Sequence, residues 1–131
     1  MEPKVLVVDD VVMIQTMLQK GLQRQNLNTF LASSGEEAID IARRNRFDLF
    51  FLDIKLPEMD GIELCKILKN DNPLSVFFAI TSYSSVFDLV ACREAGFDDY
   101  FLKPFDLNAI VLAAEQALER VQRWRKGGNS I

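Results

Sequence analysis

Histidine is absent from the 131 residues. That excludes every histidine-based catalytic triad and any role as a phosphohistidine donor, so a phosphoryl group handled by this chain must rest on another side chain. Cysteine is scarce. Cys65 and Cys92 stand far apart, lack metal-ligand spacing and fall in helix-like segments, which points to buried, reduced thiols. No apolar run approaches the roughly 20 residues that cross a bilayer. Residues 1–4 lead into a strand-like run without a signal-peptide pattern, so a cytoplasmic protein that makes no membrane contact is expected. Linkers, internal repeats and low-complexity segments are missing too, which leaves no place for a second domain inside the chain.

The composition is that of a well-packed globular protein, 49% hydrophobic and 26% charged. At this length one compact domain buries roughly two-thirds of its unfolded surface. The net charge of −4 is unevenly spread. In residues 119–131, Glu119 stands against Arg120, Arg123, Arg125 and Lys126, giving +3 and leaving −7 for the body. An acidic body argues against direct nucleic-acid binding as the main function. The basic end suits the negative pole of a helix dipole.

Five strand-like runs alternate with segments of helical period, the pattern of a doubly wound α/β fold with a parallel sheet covered on both faces. Strands are expected at 4–8, 28–31, 49–53, 75–80 and 99–102. Helices are expected at about 12–25, 36–44, 62–70, 86–95 and 107–125. Ser34 with Glu37, and Asp60 with Glu63, have capping-box spacing. Ser85 and Asp106 can cap the fourth and fifth helices, Gly96 can end the fourth, and Pro73 stops the third. On the last helix Leu107, Ile110, Val111, Ala114, Leu118 and Val121 form one apolar stripe, with Trp124 beyond it. Residues 1–122 are therefore expected to form the domain, and 123–131 a projecting helix end and tail.

Four of the runs end on chemically distinctive groups. Asp9 and Asp10 follow the first, Asp53 the third, Thr81 the fourth and Lys103 the fifth. If the runs are parallel strands, these groups emerge at one sheet edge, where open α/β folds place their sites. Clustered like charges raise one another's pKa unless a cation neutralises them. Such a cluster is poorly suited to stabilising a fold and well suited to holding a divalent metal and a phosphoryl group. Taken singly, Thr81 reads as a strand-end hydroxyl, Tyr100 as a half-buried sheet residue and Lys103 as a solvated loop cation.

The residues Val7-Val8-Asp9-Asp10, Leu52-Asp53 with Leu56-Pro57 and Met59-Asp60-Gly61, Thr81-Ser82, and Tyr100 with Leu102-Lys103-Pro104-Phe105 resemble the receiver domains of two-component response regulators. The similarity runs from residue 4 to about 122. It implies a CheY-like, flavodoxin-like sheet of strand order 2-1-3-4-5 with five helices. It also implies that Asp53 is the phosphoacceptor and that Mg2+ is held by Asp10 directly, by Asp9 chiefly through water, by Asp53 and by the Lys55 carbonyl. Thr81 and Lys103 would bind the phosphoryl oxygens, and Thr81 with Tyr100 would form the switch. A cis peptide is implied between Lys103 and Pro104. Lys55 and Tyr83 occupy positions that tune water access to the acyl phosphate, and their bulk predicts slow self-dephosphorylation.

The resemblance further implies a histidine kinase or histidine phosphotransfer protein as donor. The output would be a downstream protein target or a fused effector domain, with a dimer through the last two helices as one arrangement. On this reading the chain is a switch and not an enzyme, promoting only its own phosphorylation and dephosphorylation. An aspartyl-phosphate phosphatase looks for a second acid two residues after its nucleophile, where this chain has Lys55. A pseudo-receiver would lack site residues that are present here. A nucleotide or flavin protein would need a glycine-rich loop after the first strand, and none follows.

Overall fold

A computed structural model describes residues 3–82 and 86–129. The order is β1 (Lys4–Val8), α1 (Val12–Gln23), β2 (Asn28–Ala32), α2 (Gly35–Arg44), β3 (Leu49–Asp53), α3 (Gly61–Asp71), β4 (Val76–Thr81), α4 (Val86–Ala95), β5 (Asp99–Leu102) and α5 (Leu107–Asn129). The strands form one sheet in the order β2-β1-β3-β4-β5, and every neighbouring pair is parallel. Strand order reverses between β1 and β3. In open sheets of this kind the crevice at that reversal is where ligands bind.

Side chains alternate across a strand with period two, so each central strand feeds two cores. Leu6, Val8, Phe50, Leu52, Phe77 and Ala79 face Ala38, Leu64, Leu68 and Cys92, which places α2, α3 and α4 on one side. Val5, Val7, Leu49, Phe51, Phe78 and Ile80 face Leu18, Leu22, Ile110, Ala114 and Leu118, which places α1 and α5 on the other. Phe50 and Phe77 stack with ring centroids 4.6 Å apart. Every residue of β3 is buried, which explains its unbroken apolar run before Asp53.

Several ends lie where local chemistry places them. The Ser34 hydroxyl accepts from the Glu37 amide and the Asp60 carboxylate from the Glu63 amide, capping α2 and α3. Gly96, at φ +112°, ends α4 while its amide donates to the Cys92 and Arg93 carbonyls. The Asp106 carboxylate accepts from the Asn108 amide ahead of α5. Ser85 lies outside the described residues. Other ends differ from sequence expectation. α1 stops at Gln23 because the chain turns left-handed at Asn26, φ 62°. Ser75 belongs to the turn before β4, where its hydroxyl donates to the Phe47 carbonyl at 2.6 Å.

The apolar stripe of α5 also includes Ala117, buried like Ile110, Ala114 and Val121, and the helix continues to Asn129. Trp124 is 66% exposed, but Arg125 turns back and donates to Asp48 at 2.9 Å. Both cysteines are free and buried, and burial pushes the Cys65 thiol up to about 12. Among the described residues no helix is long and apolar enough to cross a membrane.

Candidate functional site

Asp9 follows β1, Asp53 closes β3, Thr81 closes β4 and Lys103 follows β5. Parallel strands in register present all four at one edge. The backbone fixes the spacing, because the Lys103 amide donates to the Thr81 carbonyl at 2.7 Å and the Asp9 amide to the Ala32 carbonyl at 3.1 Å. The Lys103–Pro104 peptide is cis. Asp9, Asp53 and Thr81 are buried, Asp10 is exposed, and carboxylate oxygens of Asp9, Asp10 and Asp53 lie within 4.8 Å of one another.

The ammonium of Lys103 reaches two members of this cluster. Lys103 Nζ is 3.2 Å from Asp53 Oδ2, where it donates a hydrogen bond, and 2.8 Å from Asp9 Oδ2. The second contact is an ion pair outside hydrogen-bonding angles. Asp9 Oδ2 is thus a buried oxygen without a hydrogen-bond donor among the described residues. The opposite oxygens are tied to backbone: Asp9 Oδ1 accepts from the Val11 amide at 2.8 Å and Asp53 Oδ1 from the Lys55 amide at 3.0 Å. Burial pushes the Asp53 carboxyl above the usual carboxylate range. The Lys55 amide opposes that rise, the Asp9 charge adds to it, and Lys103 offsets part of it. Burial pulls Lys103 down, yet the Asp9 and Asp53 carboxylates outweigh it and hold the ammonium above its ordinary value.

These residues fit a hard divalent cation. A buried, undonated carboxylate oxygen faces two further carboxylates, and exposed Asp10 leaves room for the waters that such a cation keeps. The arrangement therefore combines a buried strand-end carboxylate, an ammonium paired to it and an oxygen-rich group that could hold a cation within one crevice. Lys55 is exposed, and its carbonyl lies in the loop that follows Asp53. Tyr100 sits on β5, 41% exposed, beside a hollow of about 80 Å³ bordered by Leu89, Cys92 and Arg93. Tyr83 lies outside the described residues.

Two positioning residues escaped sequence reasoning. Gln15, buried on α1, donates from its side-chain amide to the Asp9 carbonyl, the Ala32 carbonyl and the Ser33 hydroxyl, and so anchors the β1 end. A polar residue at a core position of the α1 stripe was the available signal. Gly61 starts α3 against the loop after Asp53, where a Cβ would stand 2.2 Å from the Asp53 carbonyl oxygen. Its amide donates to the Ile54 carbonyl at 2.8 Å. Only glycine permits that approach.

The family model described as response regulator receiver domain matches residues 5–115. The chain is 42% identical over 116 residues to the alkaline phosphatase synthesis transcriptional regulatory protein PhoP of Bacillus subtilis, covering 86% of this chain and 48% of that protein. It thus spans about half the length of that curated relative. Among solved structures, a CheY-like response regulator receiver domain protein from Methanospirillum hungatei is similar at TM-score 0.90 and 25% identity, covering 94% of this chain and 98% of that one. The BeF3-activated receiver domain of DrrB, a Thermotoga maritima protein, is similar at TM-score 0.85 and 29% identity, covering 91% and 99%.

Proposed function

The chain belongs to the response regulator receiver family, and from that premise we propose that Asp53 accepts a phosphoryl group from a histidine kinase or histidine phosphotransfer protein. A carboxylate oxygen of Asp53 attacks phosphorus. The new O–P bond forms as the P–N bond to the donor imidazole breaks, and the imidazole nitrogen keeps the electron pair. Phosphoryl transfer asks a protein mainly for alignment and charge neutralisation. Asp53 is aligned by the Lys55 amide and by the close packing of Gly61. Lys103, already against Asp53 Oδ2, moves onto a phosphoryl oxygen.

Mg2+ is the expected cofactor, held by Asp10 and Asp53, by Asp9 chiefly through water, and by the Lys55 carbonyl. When bound it supplies positive charge to the phosphoryl oxygens. The Thr81 hydroxyl then takes a phosphoryl oxygen, and the Tyr100 ring turns toward its hollow, changing the surface of α4, β5 and α5. A downstream protein or a fused effector domain reads that surface, and a dimer through the last two helices is one form of it. Residues 1–122 make up the receiver and 123–131 its helix end and tail. The domain works in the cytoplasm as a switch, without contacting nucleic acid or membrane, and catalyses no reaction beyond its own phosphorylation and dephosphorylation.

The observation that carries this reading is the buried Asp53 at the end of β3, facing one ammonium and two further acids. Intact mass after incubation with acetyl phosphate and Mg2+ tests it. One added phosphoryl group on the wild type and none on Asp53→Asn is the expected result. A folded wild type that stays unmodified, under conditions that label a control receiver, points to a pseudo-receiver that binds without phosphorylation. Lys55 and Tyr83 slow the attack of water on the acyl phosphate. A Lys55→Ala, Tyr83→Ala double variant is therefore expected to lose its phosphoryl group faster, and an unchanged lifetime removes them from that role.

A further inference from the structure

The turn between β1 and α1 carries two of the three clustered acids, Asp9 and Asp10, joined by one peptide group. Its parts are held by different neighbours. The Asp9 amide donates to the Ala32 carbonyl at 3.1 Å, and the Asp9 carboxylate accepts from the Val11 amide at 2.8 Å. No backbone amide among the described residues donates to the Asp9 carbonyl. The side-chain amide of Gln15 does so, from the first turn of α1. The same nitrogen lies 3.3 Å from the Ala32 carbonyl oxygen and 3.0 Å from the Ser33 hydroxyl. Carbonyls only accept, so these neighbours fix which end of the Gln15 amide faces the turn.

Gln15 is 7% exposed, and an amide is buried without a large penalty only where its hydrogens find acceptors. The acceptors it finds govern the acids. The Asp9 carbonyl lies in the plane of the Asp9–Asp10 peptide, so a donor that holds it fixes the direction in which Asp10 leaves that plane. Asp9 and Asp53 are buried and Asp10 is exposed, so packing constrains the Asp10 side chain least. We propose that Gln15 is a positioning residue for the divalent cation, locking the Asp9–Asp10 peptide and through it the orientation of the Asp10 carboxylate toward Asp9 and Asp53. This role rests on the Mg2+ reading of that cluster given above. Groups that orient metal ligands from behind are worth about 10- to 100-fold in affinity, whereas a role confined to packing lowers stability and leaves affinity alone. Gln19 is the matched control, because its side-chain amide donates to the Thr29 carbonyl at 3.5 Å, near the other end of β2.

The test is calorimetric titration of the whole, unphosphorylated chain with Mg2+, beside urea unfolding without metal. Gln15→Met keeps an unbranched side chain of similar length and removes both N–H groups, and Gln19→Met does the same one turn along α1. Gln15→Met is expected to bind Mg2+ about tenfold more weakly than wild type or worse, while Gln19→Met binds like wild type even where the two urea midpoints fall alike. In the wild type, the side-chain amide resonances of Gln15 should shift with the same Mg2+ midpoint as the Asp10 backbone amide, a measurement that stands if Gln15→Met does not fold. Three results overturn the proposal: a Gln15→Met affinity within about twofold of wild type, an equal weakening in Gln19→Met, or Gln15 resonances that ignore Mg2+ while Asp10 responds. A folded wild type that binds no Mg2+ removes the cation reading itself, and this role with it.

Discussion

The two edges of the sheet treat charge in opposite ways. At the amino-terminal edge two acids each meet a single base: Asp48, just before β3, pairs with Arg125 at 2.9 Å, and Asp98, just before β5, with Lys69 at 3.9 Å. At the carboxyl-terminal edge Asp53 ends the same β3, yet three carboxylates converge and the single ammonium of Lys103 is shared between two of them, Asp9 and Asp53. Among the described residues the crowded edge leaves Asp9 Oδ2 undonated, and there burial, with the Asp9 charge adding to it, raises the Asp53 pKa. A partly buried pair is costly to break because it strands its partner. A crowded cluster gains by losing a charge or by taking up a cation.

The sharpest way to break the crowded edge is steric. Gly61→Ala drives a methyl group into the Asp53 carbonyl and is expected to cost about 3 kcal/mol in urea unfolding and to abolish the proposed phosphorylation, because the loop after Asp53 must move. An unchanged midpoint would show that the loop yields freely. At the matched edge Asp48→Ala strands Arg125 and is expected to cost about 2 kcal/mol, short of full burial because Arg125 keeps some solvent. Proteolysis near Trp124 should rise with it, and if α5 stays equally protected the pair does not hold the helix end.

Mg2+ at ten times its dissociation constant is expected to raise wild-type stability by about 1.4 kcal/mol. The gain should vanish in Asp10→Asn and persist in Asp48→Ala, so the two edges separate in one titration series. The smallest effect is on pH. A raised folded pKa means that native Asp53 holds its proton more tightly than the unfolded chain, so stability falls as pH climbs from the ordinary value of 3.8 through the raised one. Metal-free Asp53→Asn lacks this loss and is expected to exceed wild type at pH 7 by less than about 1 kcal/mol. The two should converge on acidification, and a gap that widens toward low pH contradicts the assignment.

Much of the architecture was legible because strand and helix periods are local. The unbroken run before Asp53 marks a strand buried on both faces, and Ser34 and Asp60 carry their capping partner three residues on. The ends that slipped depended on distant neighbours. Ser75 fits a strand by pattern but leaves β4 because its hydroxyl has the Phe47 carbonyl to satisfy, 28 residues away. Ala117 looks neutral in a helix until β3 and β4 lie against it.

The site divides along the same line. The sequence determined which groups stand at the strand ends and in what order, since periodicity alone places Asp9, Asp10, Asp53, Thr81 and Lys103 after their runs. Only the tertiary structure decided how Lys103 divides between Asp9 and Asp53, that Gln15 anchors the β1 end, that Gly61 must be bare, and that Arg125 reaches Asp48 across 77 residues. Period-two and period-3.6 patterns record which face of an element is buried. They carry no information about which distant element covers it, and hydrogen bonds, ion pairs and steric contacts are settled at that separation.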